Sequence, residues 1–112
     1  MRVTTRQKGD VTIVDLNGKI TIGAGDIALR NAVQQAIESG AKNLLINLQQ
    51  VSTIDSSGVG ELVSAYTTAT NRGIRLKLVN LPDKVADILT ITQLITVFDT
   101  YDSEEEAISA FK

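Results

Sequence analysis

Leu44-Leu45-Ile46-Asn47-Leu48 is a nearly unbroken apolar run of strand length. A strand with one wet face alternates apolar and polar residues. A continuous run reads instead as a strand buried on both faces, which requires a sheet with helical cover. The flanking segments fit that demand. Val3-Thr4-Thr5-Arg6-Gln7 is β-prone, Val11 to Leu16 opens with alternation, and Gly9-Asp10 between them suits a turn. The chain should therefore start with a β-hairpin, closed off at Gly18. Thr21 to Gly25 is a small-residue loop, with Gly23-Ala24-Gly25 the expected flexible part. Asp26 can then cap a helix on which Leu29, Ala32, Val33, Ala36 and Ile37 recur at helical spacing until Gly40.

After the apolar run a second helix should begin close to Ser56. Val59, Leu62, Val63 and Tyr66 form its inner stripe, Glu61, Ser64, Thr67 and Thr68 its other face, and Gly73 its end. Ile74 to Val79 reads as a strand, Pro82 as the first turn of a short helix through Leu89, and Ile95-Thr96-Val97-Phe98 as a last short strand. Ser103 and Glu106 form a capping box for a terminal helix with Ala107, Ile108 and Phe111. The order is β-β-α-β-α-β-α-β-α. It predicts an α/β fold with a mixed, mainly parallel sheet, an N-terminal hairpin and about four helices. With 112 residues and 43% hydrophobic content, residues 1–112 are expected to form one domain with a real core.

Composition removes several functions. Lys plus Arg number 11 against 13 Asp plus Glu, so no basic face for direct nucleic-acid binding is expected. With no Cys and no His, thiolate and imidazole metal ligands are gone, as is the commonest general base. No cofactor motif of the phosphate-loop or dinucleotide type is present. The acids Asp10, Asp26, Asp55 and Asp99 are scattered, so no metal site is expected. The longest apolar segments are too short to span a membrane, and Met1 to Arg6 does not read as a signal peptide, which points to a cytoplasmic protein.

The chemistry concentrates in Ile54-Asp55-Ser56-Ser57-Gly58-Val59. It places an acid and two hydroxyls where a strand hands over to a helix. The positive end of a helix holds a phosphate there. A serine nucleophile would need a base within reach, and no His exists and no Lys lies nearby in sequence. The segment reads as an acceptor of chemistry, not an enzyme's catalytic centre. Ordinary N-capping by Asp55 or Ser56 explains part of it. Gly58 and Gly60 fit capping less well, because helix-interior glycines cost stability; either an approaching surface or tight packing on a strand would require them.

These residues resemble the STAS domain family, in particular the stand-alone bacterial anti-sigma factor antagonists. The resemblance covers nearly the whole chain. It rests on Gly18-Lys19-Ile20, the run Leu44 to Leu48, Val51-Ser52-Thr53-Ile54-Asp55-Ser56-Ser57-Gly58-Val59-Gly60, Gly73 to Asn80, and Thr92-Gln93-Leu94. The Asp-Ser-Ser-Gly core is the specific part. The chain departs from the pattern at Lys19-Ile20-Thr21, where an acidic residue is frequent, and at Val59, where leucine is commoner.

The resemblance implies that the protein binds an anti-sigma factor, often also a serine kinase, and so frees a sigma factor. It implies phosphorylation at Ser56, with Ser57 the runner-up acceptor, release of the partner on phosphorylation, and a serine phosphatase that restores binding. The docking surface is then expected to include Thr21, Gly23, Asp55, Ser57, Gly58, Val59 and Glu61. Asp55 can orient the Ser56 hydroxyl, cap the helix or be read by the kinase. Two rivals stand beside this reading. One is a constitutive scaffold or transport-linked STAS module without phosphorylation. The other is a small-ligand or nucleotide sensor using the Gly23 to Gly25 loop.

Overall fold

A computed structural model describes all residues 1–112. β1 (Arg2–Lys8) and β2 (Val11–Ile20) form the hairpin, followed by α1 (Ala24–Glu38), β3 (Asn43–Ile54), α2 (Ser56–Asn71), β4 (Arg75–Val79), α3 (Asp83–Ile91), β5 (Thr100–Tyr101) and α4 (Glu104–Ala110). The five strands lie in the sheet in sequence order. β1 is antiparallel to β2, and every later neighbour is parallel. Each crossover therefore moves one strand further in the same direction. Right-handed crossovers of that kind put α1, α2 and α3 on one face.

The pleat divides the core accordingly. Val14 and Leu16 of β2, Leu44, Ile46 and Leu48 of β3, and Leu76 and Leu78 of β4 point into the main cluster with α1 to α3. Val11, Ile13, Leu45 and Val79 point the other way, where Ala107 of α4 and Phe111 at its C-cap cover them. Leu45 on one side and its neighbours on the other explain the unbroken apolar run, since period-two alternation disappears when both faces are dry.

The sequence expectations need five adjustments. β2 does not stop at Gly18. It passes through register shifts between Asp15 and Asn17 and between Gly18 and Lys19, and continues to Ile20. β3 likewise runs on beyond Leu48 to Ile54, pairing with that extension. Gly23, at φ 97, is the cap residue of α1, so Gly23-Ala24-Gly25 is a helix start and not a flexible loop, and Asp26 lies within the first turn. Pro82 precedes α3 as its cap residue, with extended ψ.

The strand expected at Ile95 to Phe98 does not form. Gln93 turns left-handed at φ 63 and Leu94–Thr96 make a single 3-10 turn. Phe98 instead packs edge-on against Tyr66, with ring centroids 5.5 Å apart. Leu94 and Ile95 pack with Phe98 against the main core while Thr96 and Val97 stay exposed, and β5 pairs later, through Thr100 and Tyr101 against Leu78 and Val79. The capping box at α4 forms as expected, with the Glu106 amide donating to Ser103 Oγ at 3.2 Å.

Candidate functional site

β2 and β3 run parallel and end side by side at Ile20 and Ile54. α1 and α2 therefore start from the same edge of the sheet. Two glycines let these helix starts press on the end of β2. A Cβ on Gly25 would collide with the Lys19 carbonyl oxygen, and one on Gly58 with the Ile20 carbonyl oxygen. The same Ile20 carbonyl accepts the Asp55 amide at 3.3 Å.

Asp55 ties the two starts together. Its Oδ1 accepts from the Gly58 amide at 2.9 Å and caps α2. Its Oδ2 accepts from the Ile22 amide at 3.0 Å, in the segment between β2 and α1. The amides of Ile22 and Gly58 stabilise the charged form and hold the carboxyl below the usual carboxylate range. With both oxygens engaged by main-chain amides, Asp55 caps and cross-links rather than orienting the Ser56 hydroxyl. The side-chain acceptors of this site are the carboxylates of Asp55 and Glu61, and none of its side-chain hydrogen bonds includes Ser56 Oγ.

Ser56 is the first residue of α2 and is exposed, while Ser57 is half-buried. Thr21 is half-buried and its carbonyl accepts the Asp26 amide at 3.1 Å. Gly23 is exposed. Gly58 and Val59 are turned inward and belong to the packing of α2 on the sheet. Glu61 is held in an ion pair at 2.7 Å by Arg30 of α1, whose guanidinium also donates to its second oxygen. Asp55 thus joins the segment that holds Thr21 and Gly23 to the start of α2 at Ser56 and Ser57, while Gly58 and Val59 are turned into the packing and Glu61 faces Arg30 of α1.

Sequence patterning did not single out Ile22, Ile27 or Arg30. Ile22 and Ile27 are 76% and 48% exposed, large apolar side chains at the end of the molecule where α1 and α2 start. The available signal was local. Ile22 stands alone in a small-residue segment, and Ile27 lies off the buried stripe of α1. A cleft of about 540 Å³ lies at the far end of α1, lined by residues including Gln7, Asp10, Gln35 and Lys42, and not by Gly23 or Gly25.

This arrangement matches a known family. The chain belongs to the STAS family, whose domain model matches residues 2–107. It is 29% identical over 108 residues to the anti-sigma-B factor antagonist of Bacillus subtilis, covering 96% of this chain and 97% of that protein. The crystal structure of a Thermotoga maritima protein, provisionally assigned as an anti-sigma factor antagonist, aligns with a TM-score of 0.88 at 24% identity, over 96% of this chain and 92% of the other. The phosphorylated form of the Bacillus cell fate determinant SpoIIAA aligns with a TM-score of 0.75 at 21% identity, over 99% and 100%. No helix is long and apolar enough to cross a membrane.

Proposed function

We propose that this protein is an anti-sigma factor antagonist of the cytoplasm, which binds an anti-sigma factor with serine-kinase activity and is released from it by phosphorylation at Ser56. A serine phosphatase resets the cycle. The name of the Bacillus subtilis relative supports the partner class. The observation that carries the reading is the exposure of Ser56 at the start of α2, beside the bared side chains of Ile22 and Ile27.

The physical account is local. A phosphoserine adds about −1.5 to −2 charges. The helix start tolerates that charge within the protein itself. A partner covering Ile22 and Ile27 would have to desolvate it next to the Asp55 carboxylate, which is unfavourable. The block needs no refolding. A fold shared with SpoIIAA in both its unphosphorylated and phosphorylated forms supports a switch of this kind.

The test is the affinity of the anti-sigma kinase encoded nearest to this gene for the wild type, Ser56→Ala and Ser56→Glu. The alanine variant should bind like the wild type, and the glutamate variant at least about tenfold more weakly, a difference of about 1.4 kcal/mol. Equal binding by all three would contradict the proposal and favour a constitutive scaffold.

A further inference from the structure

The two glycines of α2 have opposite reasons to be glycine. At Gly58 the fold demands it, since an added Cβ would strike the Ile20 carbonyl and come within 2.7 Å of Ile54 Cγ1. At Gly60 an added Cβ would meet nothing within 4 Å. Gly60 is exposed, lies within α2 and is not among the positive-φ glycines. Alanine there would fit the fold and strengthen the helix. The protein thus carries the cost of a helix-interior glycine with no return from its own packing.

The position of Gly60 explains the cost. It lies four residues after Ser56, hence on the same face of the helix, one turn along. Ile22, cross-linked to the start of this helix by Asp55, and Ile27 supply exposed apolar surface at the same end. We propose that Gly60 is a clearance position for docking. Its bare backbone lets the anti-sigma kinase seat its own main chain against α2, while apolar side chains of the kinase cover Ile22 and Ile27 and its active site reaches Ser56. This rests on the reading of Ser56 as the regulated docking residue. A Cβ at position 60 then acts as a wedge in a close-packed interface.

The experiment measures melting temperature and affinity for the same anti-sigma kinase in the wild type, Gly60→Ala and Gly60→Leu. Gly60→Ala should raise Tm by about 3–5 °C. It should also weaken binding at least about tenfold, with Gly60→Leu weaker again. A gain in stability with lost affinity separates docking from folding. Wild-type affinity in Gly60→Ala would overturn the clearance role while leaving Ser56 untouched. A fall in Tm would also overturn it, by showing that the fold itself needs the glycine. If the wild type neither binds this kinase nor is phosphorylated by it, the functional reading fails and the clearance role fails with it.

Discussion

At the scale of single residues, Asp55 decides the geometry of the site. One carboxylate holds Gly58 at the start of α2 and Ile22 ahead of α1. Replacing it by asparagine leaves one acceptor oxygen for two amides, so one bond is lost. Asp55→Asn should accelerate hydrogen exchange at the Ile22 or Gly58 amide at least about tenfold, with little change at core amides of β3. The clamp also has a pH sense. Its folded carboxyl titrates below the ordinary Asp value of about 3.9, so its contribution is complete above about pH 5 and lost as pH falls through the depressed folded value. Protection at Ile22 should follow that course. The capping role was legible in the sequence, because an Asp before an apolar helix has one common use. The bond to Ile22 was not, because it spans 33 residues of chain and exists only once β2 and β3 end side by side.

At the scale of elements, the starts of α1 and α2 are set by contact with β2. Gly58→Ala should destabilise the protein by about 1–3 kcal/mol in urea unfolding, because the new methyl faces the Ile20 backbone and a backbone cannot swing aside. Gly60→Ala, two residues on, should move the other way. The sequence shows both glycines alike, and only the packing of α2 on the sheet tells the internal one from the external one. Periodicity located α1, α2, β3 and β4 well, since each has a long apolar stripe or run. It failed at Ile95 to Phe98, where Phe98 packs against Tyr66, Thr96 and Val97 stay exposed, and the strand that forms is only Thr100–Tyr101. Short apolar segments carry no period from which to distinguish these outcomes.

At the scale of the whole molecule, the sheet is covered unequally. Three helices close one face and α4 alone closes part of the other. α4 is tied across the sheet by charge. Arg6 of β1 pairs with Asp15 at 2.6 Å and with Glu104 at 2.6 Å, and Lys8 adds a contact to Glu104 at 3.0 Å. Arg6 lowers the carboxyls of both Asp15 and Glu104. Depressed carboxyls contribute stability that is present above their unfolded values of about 3.9 and 4.3 and disappears as pH falls through the folded ones. Arg6 is substantially exposed, so solvent screening limits the effect. Arg6→Gln should cost about 1 kcal/mol at pH 7 and less at about pH 3, as read from denaturant midpoints. An equal cost at both pH values would assign Arg6 to packing instead. The alternation of strands and helices made the architecture readable from sequence. This network was not, because Arg6 and Glu104 are separated by 98 positions and nothing in either neighbourhood marks the other.

The central claim is that Ser56 is the switched residue, and site-mapping mass spectrometry tests it most directly. The protein is incubated with ATP and the anti-sigma kinase encoded nearest to its gene, beside Ser56→Ala. One phosphate on Ser56, absent from the alanine variant, is the expected result. No phosphate from a kinase active on another substrate, or phosphate on Ser57 alone, would contradict it.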